Sequence, residues 1–463
     1  MRKIGIININ QAYNSIQNTM KKLIALGMLA VSANVAGLCL AAVEFDSPAR
    51  ISGVTDKDPL TYAPGEKMTF TLKLADLGQA IPKDSRIWWK RTGDDGQVVT
   101  GSVAATEAPV TVTTSLDRPG FVRLRAELTD ASCKRYERKG GADFGESRGV
   151  YFDGGAGVKP YEIAEYPEPK DFDAFWAKRK ARLAALPLKA DVVEIPVESN
   201  TVARLFQVSV NCAGPRPMTA YMTIPRKAFT EGRKYPVTLT FEGYYAALGH
   251  PKPPKVGGGV WNGIYINVNA HGYELGREKE YYQEFRASIE SNGQSYGFDP
   301  AQNAKVESSY FNGWTYRIMR AVQYARTIPQ WDGKSITASG GSQGGLQSVW
   351  AATLGEGVTS LYVSVPWSCD FGRTEMGRNH GPWYVKWTPA LGYFDPVYHI
   401  KRLSPDCRFS VGRAGLGDYI CPPSGVALLY KNAAAKQKSI NWVQGSTHAY
   451  VPPKPWQEHH DQQ

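Results

Sequence analysis

Cysteine is scarce and scattered in this sequence: six residues in 463, with no C-x-x-C and no zinc-like spacing with histidine. Five of them, Cys133, Cys212, Cys369, Cys407 and Cys421, lie beyond the N-terminal segment, an odd and widely spaced set. That excludes a disulfide-built scaffold and a structural zinc site, and leaves room for one incidental disulfide. Dense runs of lysine and arginine are also missing, although the formal charge is +11. Four of the positive charges (Arg2, Lys3, Lys21, Lys22) lie at the extreme N-terminus, where no acidic residue precedes Glu44. The remaining basicity reads as solvated surface and not as a nucleic-acid site. Past the N-terminus no apolar run is long enough to span a bilayer. A hydrophobic share of 42% against 21% charged residues can fill a sizeable core, which excludes a disordered chain.

What is present begins with an address. Met20-Lys21-Lys22 precedes "LIALGMLAVSANVAGLCLAA". A basic region, an apolar region and small residues near Ala41 and Ala42 make residues 1–42 a leader for export, periplasmic or extracellular, with Met20 a candidate true start. The alternatives are an uncleaved anchor, against which Gly27, Ser32, Asn34 and Gly37 argue, and lipid attachment at Cys39, where Leu38 fits poorly.

Residues 43–157 read as a small β-sandwich. Runs such as "KMTFTLKLADL" and "GFVRLRAELTD" alternate apolar with polar residues between turn signals such as "APGEK" and "DRPG". Trp88 and Trp89 on one strand fill a core or offer a sugar-binding platform. Residues 158–189 form a Gly- and Pro-rich linker and a docking helix, with Phe172, Phe175, Trp176, Leu183 and Leu186 at helical spacing before Pro187. From 190 to 463, strand-like runs such as "YPVTLTFEG" and "SLYVSVPWS" alternate with helical ones such as "NGWTYRIMRAVQYARTIP". The expectation is an α/β fold with a mainly parallel sheet, helices on both faces and one antiparallel edge.

Two stretches match G-x-S-x-G, around Ser147 and around Ser342. The motif has chemical meaning only as a strand, a sharp turn and a helix, where the turn exposes the hydroxyl and needs small neighbours. "SITASGGSQGGLQSVWAATLG" supplies that context for Ser342. Ser147 has no apolar strand before it and reads as a hairpin loop. A serine needs a base, usually a histidine held by a carboxylate, following in the order serine, acid, histidine. His448 comes just after the last strand-like run, and Asp418 just past "CRFSVGRAGLG". Asp370 is the second choice for the acid, and Asp406 sits at the wrong end of its strand. Asp395 also lies between the serine and the histidine. His380 and His399 read as structural or substrate-facing, His459 and His460 as part of a frayed tail.

"GGSQGG", "GDYICPPS" and "IPQWDGKSITASGGSQGG" together resemble the acetyl xylan esterase/cephalosporin-C deacetylase family, carbohydrate esterase family seven, over roughly residues 165–450. The resemblance implies an α/β-hydrolase fold and a serine esterase that deacetylates saccharides without metal or organic cofactor. It puts the nucleophile at Ser342, the acid at Asp418 and the base at His448, with oxyanion donors on the backbone N–H groups of Gln343 and Tyr244. Two departures stand out. His271-Gly272-Tyr273 replaces the family's Arg-Gly-Gln, and Ala449 replaces a glutamate after the histidine. The first removes a buried arginine, so His271 and Tyr273 either brace the site or touch substrate. The expected partner is an acetylated oligosaccharide or polysaccharide, with no nucleic acid and no stable membrane insertion after leader removal; an oligomer is compatible with the sequence. Two rivals remain: a serine peptidase of the prolyl oligopeptidase type, for whose propeller residues 44–157 are too few, and a non-catalytic glycan-binding surface protein using aromatics around Trp383 and Trp387.

Overall fold

The computed structural model describes residues 44–138, 148–198, 201–244, 251–256 and 262–462. The leader, Met20, Cys39 and Ser147 lie outside them. Besides a two-residue pair (Glu44–Phe45 with Glu137–Arg138), the longer N-terminal strands are β1 (Arg50–Thr55), β2 (Met68–Ala75), β3 (Arg86–Gly93), β4 (Val98–Ala104), β5 (Val110–Thr114), β6 (Gly120–Thr129) and β7 (Tyr151–Val158). They form a three-stranded sheet, β1-β2-β5, and a four-stranded sheet, β4-β3-β6-β7, all antiparallel. The period-two pattern explains the pairing. Phe70, Leu72, Val112, Leu124, Ala126 and Phe152 turn inward into one apolar cluster. Trp89 packs against that cluster with its ring laid over Gly101, where a Cβ would stand 2.4 Å from it, while Trp88 is half-buried.

Helix α1 (Phe172–Ala184) buries Phe172, Trp176 and Leu183, the 3.6-period stripe of its sequence. It docks on the second region through the Trp176 indole N–H, which donates to the Tyr393 carbonyl at 3.1 Å.

The remaining strands are β8 (Ala190–Ile195), β9 (Ala203–Val210), β10 (Met218–Pro225), β11 (Tyr235–Phe241), β12 (Ile264–Asn269), β13 (Trp331–Gly341), β14 (Ser360–Ser364), β15 (Arg408–Gly415), β16 (Lys438–Val443) and β17 (Gln457–Gln462). They build one ten-stranded sheet in the order β8-β9-β10-β12-β11-β13-β14-β15-β16-β17. The strands from β12 to β16 in that order are parallel, and both flanks are antiparallel. The segment read as a frayed tail is therefore an edge strand, because "QEHHDQ" pairs with the backbone of β16.

Between the strands lie α2 (Lys279–Ile289), α3 (Tyr310–Ala325), α4 (Gln343–Leu354) and α5 (Pro423–Asn432). Register puts Leu239, Ile266, Ala338, Leu361 and Phe409 side by side, buried with α3, α4 and α5 in the larger core. The sequence reading put helices on both faces. The opposite face carries Thr240, Asn267, Ser339, Tyr362 and Ser410 in register and stays partly open, with Tyr265 39% and Tyr362 47% exposed. Alternating Thr, Ser and Asn in β11 to β16 is the physical reason: these residues tolerate water, and a doubly covered strand is apolar throughout.

Phe45–Gln463 form one compact unit in which both apolar clusters lie, and Phe121 of β6 belongs to the larger one. No described helix is long and apolar enough to cross a membrane. The five described cysteines are free thiols.

Candidate active site

The site is assembled at the C-terminal ends of the parallel strands, where open α/β sheets carry their ligands. Ser342 stands between β13 and α4 with φ 54° and ψ −122°, a left-handed conformation that costs energy in a residue bearing a Cβ. Its backbone over-determines that geometry. Its N–H donates to the Ser364 carbonyl at 2.9 Å, and its carbonyl accepts from Gly345, Leu346 and Trp367. Glycine is required on both sides. A Cβ on Gly344 would lie 2.1 Å from the Phe241 carbonyl oxygen, and one on Gly340 would lie 2.5 Å from the Gly344 carbonyl. Gly341 is different, since its nearest atom would be 3.6 Å away.

Asp418 follows β15 in a turn whose Gly415 and Gly417 are closely packed against backbone. Its carboxylate is fully buried. One oxygen accepts the N–H groups of Ile420 at 3.0 Å and Cys421 at 2.9 Å. The other lies 3.0 Å from Nδ1 of His448, which follows β16. With Nδ1–H directed at the carboxylate, Nε2 is left as the basic nitrogen. The backbone of His448 is held by Arg413, whose guanidinium donates to its carbonyl at 2.5 Å. Asp418 is thus more than a helix cap: its side chain orients an imidazole. The second-choice acid is committed elsewhere, since Asp370 accepts Arg378 Nη2 at 2.7 Å. Asp395 caps a short turn, and burial pushes its carboxyl up to about 7. Asp406 is exposed and pairs with Lys436.

Cys421 had no role in the sequence reading beyond its place in "GDYICPPS". Its sulfur lies within 4.8 Å of the polar atoms of Asp418 and His448 and within hydrogen-bonding reach of the Ser342 side chain. The thiol thus neighbours Ser342, Asp418 and His448. Oxygen, sulfur and nitrogen donors so close could hold a zinc ion in principle. Both Asp418 oxygens are already spent on hydrogen bonds, and burial pushes the thiol well above its ordinary value, which keeps it protonated.

Gln343 opens α4, so its backbone N–H is among the first four, which have no acceptor within the helix. Its side-chain oxygen accepts the Tyr296 hydroxyl at 2.9 Å. Tyr244, just past β11, stacks on Tyr296 at 4.2 Å and meets Trp367 and Trp383 edge-on. These rings form one wall of the site, and Trp383, expected on a sugar-facing surface, is in it. Trp387 instead packs against Tyr166. A narrow cavity lined by Trp367, His380, Trp383, Tyr384, Tyr419 and Ile420 runs beside the acid-bearing turn. A roomier one of about 480 Å³ lies on the polar face of the sheet, lined by Thr240, Glu242, Tyr265 and Asn267. The narrow cavity adjoins the turn that carries Asp418, whereas the roomier one lies away from it.

His271 and Tyr273 are buried, 2% and 1% exposed. Tyr310 and Trp314 direct their O–H and N–H at Nδ1 of His271, at 2.8 Å and 3.3 Å. Burial drives this imidazole well below its ordinary value, so it stays neutral. Its ring meets Tyr296 edge-on at 4.9 Å, which links it to Gln343. Beside this loop lies the buried Arg317 of α3, whose Nε donates to the Ala270 carbonyl. Its Cδ would be 2.9 Å from a Cβ on Gly272. Nothing in the sequence marked a mid-helix arginine for this place. His399 is buried against Phe172 and Trp176, far down to about 3 through desolvation. His380 stacks on Tyr384.

A match to the acetyl xylan esterase (AXE1) family spans residues 157–461. The acetyl esterase Axe7A of Xylanibacter ruminicola is 26% identical over 296 residues, covering 61% of this chain and 63% of that protein's length. The acetyl xylan esterase from Paenibacillus sp. R4 superimposes with a TM-score of 0.51 at 20% identity, over 63% of this chain and 94% of its own, a likeness of fold. On the extent of the family match, the chain belongs to the acetyl xylan esterase family.

Proposed function

We propose that this chain is a serine carbohydrate esterase that removes O-acetyl groups from xylan-derived or other acetylated saccharides. The observation that carries the reading is the 3.0 Å contact between His448 Nδ1 and a fully buried Asp418 carboxylate, on the same sheet end as the strained Ser342 turn. In the proposed reaction Nε2 of His448 takes the Ser342 proton while Oγ attacks the acetyl carbonyl. Asp418 stabilises the imidazolium that forms. The N–H groups of Gln343 and Tyr244 receive the developing oxyanion, an effect of about 2.7–4 kcal/mol per donor. The protonated His448 passes its proton to the departing sugar hydroxyl, leaving an acetyl-enzyme. Water, activated by the same base, releases acetate and restores Ser342.

Aromatic edges from Tyr244, Trp367 and Trp383 favour a small acyl group backed by a sugar ring over a peptide. The described strands of the N-terminal region form small sheets of two, three and four strands, which does not favour the peptidase alternative. Residues 20–42 support export from the cytoplasm, which N-terminal sequencing of the mature protein tests. Acetate release from acetylated xylo-oligosaccharides, beside an aryl acetate and a peptide substrate, tests the reaction. Loss of release in Ser342→Ala supports it, and unchanged release overturns it. Covalent labelling by a fluorophosphonate separates the esterase from a non-catalytic glycan binder.

A further inference from the structure

The two loops that carry Asp418 and His448 do not rest on the hydrolase alone. Strand β7 of the N-terminal region runs directly beneath them. A Cβ on Gly417, the residue before Asp418, would stand 2.0 Å from the carbonyl oxygen of Asp153, and one on Gly155 would stand 2.7 Å from the Leu416 carbonyl oxygen. The two backbones touch, and only glycine permits it. On the histidine loop, the Gln444 amide bonds β7 as an added strand would. Its nitrogen donates to the Gly155 carbonyl at 2.7 Å, and its oxygen accepts the Gly155 N–H at 3.0 Å. The same oxygen accepts the Gly445 N–H at 3.1 Å, so one amide ties β7 to the turn leading to His448.

Charge reinforces the contact. Asp153 has no exposed surface and is bound by Arg123 through Nε at 2.7 Å and Nη2 at 2.5 Å, and by Arg125 at 3.0 Å. The Arg123 guanidinium lies 4.5 Å over the ring of Tyr419, the residue after Asp418. Beyond the acid-bearing turn, Asp94 accepts the Ser424 hydroxyl at 3.3 Å while holding the Phe121 N–H at 2.8 Å. Arg123, Asp153 and Gly155 thus grip both sides of Asp418 and the stem of His448.

We infer that the N-terminal β-region is a working part of the catalytic machinery, and that Arg123 and Gln444 are positioning residues that set the Asp418–His448 geometry. This rests on the triad proposed above. An appended binding module would meet its neighbour through a wet, mobile surface. Here the contact is buried backbone, a buried ion pair between Asp94 and Arg373 at 3.6 Å, and a shared apolar core. A small displacement of an acid or base costs up to about 100-fold in rate.

The test uses the full chain with an aryl acetate, reading kcat and KM separately, with Ser342→Ala as reference. Arg123→Met and Gln444→Ala are expected to lower kcat about tenfold or more with KM changed less than about twofold, and Arg123→Lys to recover part of the loss. Leu72→Ala, in the separate core of the β-region, is the stability control: it lowers the melting temperature and keeps kcat within about twofold. Gln444→Ala removes no charge and keeps the question open to experiment if Arg123→Met fails to fold. Folded Arg123→Met or Gln444→Ala enzymes with kcat within about twofold of the parent overturn the inference, as does a Leu72→Ala enzyme that loses kcat equally. If Ser342→Ala retains activity, the triad reading falls and the inference with it; if Ser342→Ala is dead while Arg123→Met and Gln444→Ala are fully active, only the inference falls.

Discussion

At the scale of single residues the site depends on hydrogen bonds that cannot be replaced by water. Asp418 accepts three of them in a space closed to solvent. Asp418→Asn keeps the shape but gives His448 Nδ1 an amide partner that can favour the wrong tautomer. The expected result is a loss of about 10³–10⁴-fold in kcat for an aryl acetate, with the fold unchanged by circular dichroism. Tyr296 holds the Gln343 side chain from beneath and leans on neutral His271. Tyr296→Phe leaves the buried Gln343 oxygen without its donor and is expected to cost about 1–3 kcal/mol in denaturant unfolding, together with part of kcat. An unchanged unfolding midpoint would show that the bond contributes nothing.

At the scale of elements, the turn between β13 and α4 is set by backbone crowding. Gly344→Ala places a methyl group 2.1 Å from the Phe241 carbonyl oxygen, and neither backbone can retreat without moving β11 or α4. A destabilisation of about 1–3 kcal/mol is expected, with fluorophosphonate labelling reduced in the protein that still folds. The docking of α1 makes a different prediction. His399 is buried neutral against Phe172 and Trp176, its value pulled down to about 3 by desolvation. Its unfolded value is about 6.5, so below that pH the unfolded chain binds a proton that the folded chain refuses. This contribution to stability is complete above about pH 6.5 and is lost as pH falls toward 3. His399→Gln should flatten that part of the melting temperature–pH curve, measured between pH 4 and 7. A curve with the same slope in the variant would assign the loss to other groups.

At the scale of the molecule, the β-region and the hydrolase share buried contacts, including Phe121 on Trp442 at 5.4 Å and the Gln444 amide on Gly155. Regions so joined should unfold together. Calorimetry and tryptophan fluorescence are expected to report one coincident transition for the chain. Two resolved transitions would show that the shared core is too weak to couple them.

Much of this protein was legible in its sequence because the signals are local. Strand-turn-helix context separated Ser342 from Ser147, and the positions of Asp418 and His448 just past strand-like runs followed from the same reasoning. Glycine at 340 and 344 is dictated by the turn itself. The alternation of Thr and Ser in β11 to β16 also marks a face partly open to water. Other features could not be read, because they join residues far apart in the chain. Arg317 reaches the Ala270 carbonyl from a helix, Cys421 meets Ser342 across a turn, and His271 reaches Gln343 through Tyr296. The contact of β7 with the loops of Asp418 and His448 spans more than 260 residues, and periodicity carries no information over that distance. The sequence by itself determined which residues could do chemistry and on which elements they sit. Only the tertiary structure decided what holds them in place, because bracing is a matter of packed backbones and buried charge meeting across the fold.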